Sequence, residues 1–147
     1  MNIYFSGIGG VGIGPLAQIA RDASNTIVGS DAQASVITDE LVREGVRVST
    51  DQTGAFLQQC HSEKPIDWFV YTAALPDDHP ELLLAQSLGI RIAKRDELLN
   101  EIITANNLKL IAIAGTHGKT TTAGLLVWVM HQLGISISYS VGTTLSY

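Results

Sequence analysis

Residues 3–22 read IYFSGIGGVGIGPLAQIARD: a short apolar run, a glycine cluster, then a helical pattern. Ile3–Phe5 fits a buried strand, Gly7-Ile8-Gly9-Gly10-Val11-Gly12 satisfies G-x-G-x-x-G, and the spacing predicts a helix over Val11–Asp22. Glycines in this frame let the backbone turn tightly and approach a diphosphate, which then sits at the positive N-terminal end of the helix. Asp31 ends the next apolar run (VGSD, 28–31), where an acidic residue can accept a ribose hydroxyl. The plain alternatives are a tight strand–helix turn without a ligand and, for Asp31, a solvated loop residue or helix cap. Taken alone, this loop points to NAD or FAD.

Outward from it, β-branched or apolar runs alternate with helical patterns, which is the signature of a parallel α/β sheet. Further strands are expected near Thr26–Gly29, Arg47–Ser49, Asp67–Tyr71, Arg91–Ala93, Leu110–Ala114 and Ile135–Tyr139. Helices are expected near Val36–Glu44, Gly54–Cys60, Pro80–Leu88, Arg95–Ala105 and Lys119–Leu133. Gly45, Gly89 and Gly134 each follow a helix, at the position where a left-handed backbone favours glycine. The fold class expected is a Rossmann-like parallel sheet with helices on both faces, followed by the start of a P-loop ATPase-type domain.

That second unit rests on residues 110–122, LIAIAGTHGKTTT. Ile111–Ala114 reads as a buried strand, and Gly115-Thr116-His117-Gly118-Lys119-Thr120-Thr121 opens a helix. In such loops backbone N–H groups cradle the β-phosphate, the lysine neutralises β/γ oxygens, and the hydroxyl that follows binds magnesium. Lys119 and Thr120 are assigned those two roles, with Lys119 the candidate catalytic residue. The general P-loop has glycine six positions before the lysine, whereas Ile113 stands there, so this is the shorter G-x-x-G-K-T-T form. His117 either lines the phosphates or faces solvent. The polar pair Asn106–Asn107 marks the junction, giving residues 1–105 as one domain and 106–147 as the beginning of another. The second is expected to be incomplete, since a nucleoside triphosphatase fold needs several more strands and a further acidic magnesium ligand.

A net charge of −5 argues against general nucleic-acid binding and against an anionic membrane surface. Bound phosphate must therefore be met by local backbone amides and a few placed cations. The single cysteine, Cys60, excludes an intramolecular disulfide and reads as a semi-buried residue near a helix end. The N-terminus has no positive n-region or long apolar h-region. The most apolar stretch, Leu125–Met130, is far short of the ~20 residues needed to span a bilayer. A cytoplasmic protein is expected.

GTHGKTTT resembles the ATP loop of the Mur ligases, the amide-forming enzymes of peptidoglycan precursor synthesis. SGIGGVGIGPLA (6–17), VGSD (28–31), YTAALPDDHPEL (71–82) and KRDELLNEI (94–102) carry the same likeness, in order, over nearly the whole chain. The resemblance implies that the first loop holds the diphosphate of a UDP-sugar, UDP-N-acetylmuramate, rather than NAD. On that reading Gly7, Gly9, Gly10, Val11 and Gly12 line the diphosphate, Ser30 and Asp31 sit near the uridine, and Thr72, Ala73 and Ala74 lie close to both. It also implies ATP and magnesium at the second loop, with L-alanine as the amine substrate in the full-length enzyme. An acyl phosphate forms on the substrate carboxylate, and the amine then attacks it. Two departures stand out: Thr50-Asp51-Gln52 replaces a segment that often carries a histidine, and His79-Pro80-Glu81 stands where the family often has Asn-Pro-Glu. For His79 a capping or exposed role is expected. A related ligase that reattaches recycled tripeptide shares these loops. An NAD-dependent oxidoreductase and a non-catalytic nucleotide sensor are the competing readings from other classes.

Overall fold

The first strand, β1 (Asn2–Ser6), is buried along its full length, as the central strand of a sheet covered on both faces must be. A computed structural model of the chain describes residues 1–141. In it β1 is flanked by β2 (Thr26–Ser30) and β4 (Trp68–Tyr71), with β3 (Arg47–Ser49) and β5 (Arg91–Lys94) outside them. The result is a five-stranded sheet of order β3-β2-β1-β4-β5. Every pairing is parallel, and the register sets Ser6 beside both Ser30 and Tyr71.

Side chains alternate across such a sheet, so β1 sends Ile3 and Phe5 to one face and Tyr4 to the other. The Ile3 face packs against α1 (Gly14–Asp22), α2 (Val36–Arg43) and α5 (Arg95–Ala105), through Leu16, Ala17, Leu41, Leu98 and Ile102. The Tyr4 face packs against α3 (Ala55–Glu63) and α4 (Pro80–Ser87), through Leu57, Cys60, Leu82 and Ala85. The chain therefore winds outward from β1 on one face, returns through α3 on the other, and continues through β4 and β5. The reversal falls between β1 and β4, the switch point at whose carboxyl edge ligands of such sheets bind.

The strands and helices expected up to Ala105 are present, with shifted ends. The helix expected from Val11 begins at Gly14 instead, and the carbonyl of Gly10 accepts from both Ile13 and Gly14 in a preceding turn. Pro15 explains the shift: it has no N–H to give to a carbonyl four residues back, so it is tolerated only in a helix's first turn. His79 caps α4, its Nδ1 accepting from the Glu81 N–H at 3.3 Å, as expected. Cys60 is buried deeper than expected, and that burial pushes its thiol pKa up. Gly45, Gly89 and Gly134 take positive φ after their helices.

Two expected strands are absent. Residues 110–114 and 135–139 join no ladder, because among the described residues neither has a partner strand, and Leu110 and Ile111 stay 62% and 59% exposed. The last helix, α6 (Lys119–Gln132), is apolar nearly all round but buries only Val127. Leu125, Trp128 and Val129 are left exposed. No described helix is long and apolar enough to cross a membrane.

Candidate functional site: two glycine loops

Gly7 leaves β1 with φ +82°, a conformation that glycine adopts without penalty, and the methyl of Thr72 lies 2.9 Å from where a Cβ on Gly7 would stand. The loop after β4 is thus packed on the loop after β1, at the switch point. Thr72 N–H reaches back to the Ser6 carbonyl at 3.3 Å, and Ala73 and Ala74 lie exposed in the turn beyond it. Of the residues assigned to the ligand in these two loops, Gly7 and Thr72 are thus neighbours in space.

Within the first loop the backbone donors divide into two groups. Gly7 and Ile8 both donate to the Ser30 carbonyl, at 2.8 and 3.0 Å, and Gly10 donates to Gly7. The Gly9 N–H is held by Asp31 Oδ2 at 2.8 Å. The amides of Val11 and Gly12 have no such partner among the described residues, and they stand just before the start of α1. Beside them lies a cation that sequence reasoning missed. The Arg95 guanidinium comes within 3.4 Å of where a Gly12 Cβ would stand. Arg95 opens α5 immediately after β5, is exposed, and makes no ion pair among the described residues. A basic residue at the carboxyl edge of a parallel strand was the available signal, submerged in a segment read as a helix start and as part of the family likeness, with no role given to Arg95.

Asp31 and Ser30 enter this site differently from the expectation. The Asp31 carboxylate grips the loop itself through Gly9, and its Oδ1 accepts from Gln33 N–H at 3.2 Å. Ser30 contributes its carbonyl to the loop, while its hydroxyl turns into the core and donates to Glu81. Alternation along β2 decides this: Ser30 shares a face with Val28, which packs with Tyr4 and Phe69.

At the second loop Gly115 and Gly118 take φ +153° and +76°, and α6 starts directly after Gly118. The Lys119 ammonium donates to the carbonyls of Gly115 and Thr116 and so folds over its own loop. Thr116, His117, Thr120 and Thr121 are exposed around that mouth. This donor set fits a nucleotide phosphate chain: backbone amides at a helix N-terminus, and an ammonium tied only to neutral carbonyls it can exchange for phosphate oxygens. The hydroxyl expected to meet magnesium, that of Thr120, is exposed at this mouth beside those of Thr116 and Thr121. No described group of three His, Cys, Asp or Glu could hold a metal. A cleft of about 560 Å³ adjoins the second loop, with Arg95 on one side and Lys119 and Thr120 on the other; the first loop does not line it, and Arg95, which also approaches Gly12, is its link to that loop. Its walls are mainly apolar, from Leu99, Ile102, Ala112 and Leu126.

A doubly wound parallel sheet with a glycine loop at its switch point defines a Rossmann-like α/β domain. The family model described as Mur ligase family, catalytic domain, matches residues 2–107, and the chain belongs to the Mur ligase family. It is 35% identical to the UDP-N-acetylmuramate--L-alanine ligase of Frankia casuarinae over 99% of this chain and 28% of that protein. It is 37% identical to the ligase of the same name from Lachnospira eligens, over 99% of this chain and 30% of that one. Among solved structures, a murein peptide ligase from Psychrobacter arcticus superposes with a TM-score of 0.80 at 32% identity, covering 91% of this chain and 27% of that one. The UDP-N-acetylmuramate-alanine ligase of Thermotoga maritima superposes with a TM-score of 0.78 at 26% identity, covering 91% and 30%. The chain thus spans about three tenths of the length of the relatives it matches.

Proposed function

We propose that this chain is the nucleotide-sugar-binding portion, with the adjoining ATP loop, of a ligase that joins L-alanine to UDP-N-acetylmuramate. One observation carries the reading: the Val11 and Gly12 amides and the nearby Arg95 guanidinium, all without a partner among the described residues, at the switch point of a parallel sheet. Two amides and one guanidinium suit a diphosphate, which has several anionic oxygens in a short span. Uridine then lies toward Asp31 and the Thr72–Ala74 turn, and the sugar with its carboxylate extends along the cleft toward Lys119. Residues 1–105 form the sugar-nucleotide domain, and residues 106–147 belong to the ATP-binding one.

ATP, bound with magnesium, supplies the phosphoryl group that activates the sugar carboxylate. The residues of this chain then have an electrostatic task, since a γ-phosphoryl group and a carboxylate repel one another. Lys119 exchanges the Gly115 and Thr116 carbonyls for phosphate oxygens, Thr120 offers its hydroxyl to magnesium, and the amides of residues 115–121 fix the geometry. The apolar walls of the cleft reduce competition from water for these contacts.

A second reading stays within the family: attachment of a preformed peptide to the same sugar nucleotide. The superposition on a murein peptide ligase favours it as much as the other structural match favours the first. Calorimetric titration of this chain tests the shared core of both. UDP-N-acetylmuramate should bind at least tenfold more tightly than NAD; tighter binding of NAD would turn the assignment to an oxidoreductase.

A further inference from the structure

Beneath the first glycine loop lies a buried carboxylate that the proposed chemistry does not use. Glu81, at the second position of α4, is 0% exposed. It accepts three hydroxyl hydrogen bonds: from Tyr4 at 2.5 Å and Ser6 at 2.6 Å, both on β1, and from Ser30 on β2 at 2.7 Å. Burial, and after it the nearby Glu81 carboxylate, raises the Tyr4 hydroxyl far above the usual tyrosine range, so it stays a donor. No arginine or lysine partners Glu81 in an ion pair among the described residues. What balances it is three hydroxyls and the N-terminal end of its own helix.

The positions of those hydroxyls matter. Ser6 immediately precedes Gly7, and its carbonyl accepts from Thr72 N–H. Ser30 is the residue whose carbonyl holds Gly7 and Ile8, and it immediately precedes Asp31, which holds Gly9. Ser6 and Ser30 are also register partners across β1 and β2. One carboxylate thus ties together both strand ends from which the loop's internal hydrogen bonds originate. We propose that Glu81 is a positioning residue for the nucleotide-sugar loop. By holding Ser6 and Ser30 it fixes the loop so that the Val11 and Gly12 amides present themselves to the diphosphate. This inference rests on the proposed function for the ligand's identity, but not for the effect on the loop.

A merely structural role would lower the melting temperature and leave the folded loop as it was. The two roles separate in Glu81→Gln, which keeps the side chain's size and replaces one acceptor oxygen with an amide, and in Ser30→Ala, which removes one tie. Both are studied in this chain, well below the melting temperature. Two readouts are taken: amide chemical shifts of Gly9, Val11 and Gly12, and affinity for UDP-N-acetylmuramate. The expected result is displaced loop amide shifts in both variants, affinity weakened about tenfold in Glu81→Gln, and a double variant weaker by less than the product of the singles. Glu81→Asp, one methylene shorter, should not restore affinity. Unchanged loop shifts in folded Glu81→Gln would overturn the inference even if no sugar nucleotide binds. Unbound wild type with displaced loop shifts in the variants would instead overturn the ligand assignment and leave the positioning role standing. Should Glu81→Gln fail to fold, Ser30→Ala and Ser6→Ala carry the same test, and unchanged shifts and affinity in both would overturn it.

Discussion

Gly9 sits where a side chain has no room: a Cβ there would stand 2.8 Å from both Ser35 Oγ and Thr38 Cγ2, and 3.0 Å from Asp31 Oδ2. The first two belong to the capping box that starts α2, in which Ser35 and Thr38 satisfy each other's backbone amides. Gly9→Val therefore pushes the loop away from α2 and loosens the Asp31 contact. Overpacking of this kind costs about 1–3 kcal/mol. We expect it to weaken UDP-N-acetylmuramate binding at least tenfold by calorimetry, with ATP binding at the other loop unchanged; equal loss of both ligands would speak against separate sites. Arg95→Ala should weaken the sugar nucleotide by about tenfold, the scale of one charge-assisted contact. That loss should shrink as salt is raised, and a variant that binds as tightly as wild type at low salt would remove Arg95 from the site. At this scale the sequence was only partly legible. Glycines announce a turn whatever they bind, so Gly7 to Gly12 could be read. Arg95 and Glu81 each look like an ordinary helix-start residue, and only the fold brings them to the loop. Ser30 was placed near the ligand by the family resemblance, and position along the chain did not tell which face of the sheet receives its hydroxyl.

Among the elements, β1 and β4 form the centre on which the switch point depends. Phe69 on β4 is fully buried, and its ring stacks on Tyr4 of β1 at 5.7 Å between centroids. Removing a buried ring of this size costs about 3–5 kcal/mol. Phe69→Ala should show a loss of that order in denaturant unfolding, and a loss below about 1 kcal/mol would mean that the Tyr4 face of the sheet is not the packed layer described. The five strands could be read in advance because each is a short apolar or β-branched run bounded by turn residues, and the helices between them carry their own stop signals at Gly45 and Gly89. The runs at 110–114 and 135–139 have the same composition and still join no ladder. Strand composition records a preference for a pleated, half-buried surface, and a ladder also needs a neighbour. Helix α1 shows the converse, where one residue, Pro15, overrides a pattern that would otherwise have begun a turn earlier.

Across the whole molecule the two loops belong to different parts of the chain, linked by Arg95, which approaches Gly12 and lines the same cleft as Lys119, and the family match to residues 2–107 stops before the second loop. Lys119 illustrates the division. In an intact ligase of this family, Lys119→Ala should reduce turnover by about a hundredfold or more, since one preorganised electrostatic contact is worth roughly 3–4 kcal/mol in the transition state. Affinity for the sugar nucleotide should be nearly unchanged; abolished sugar-nucleotide binding with turnover spared at saturation would invert the assignment. The most direct test follows backbone amide shifts of this chain during two titrations, one with UDP-N-acetylmuramate and one with ATP and magnesium. The account predicts two disjoint responses: Gly9 to Gly12 and Thr72 to Ala74 move with the sugar nucleotide, and Gly115 to Thr121 with ATP. A sugar nucleotide that shifts Gly115 to Thr121 and leaves Gly9 to Gly12 in place would contradict it.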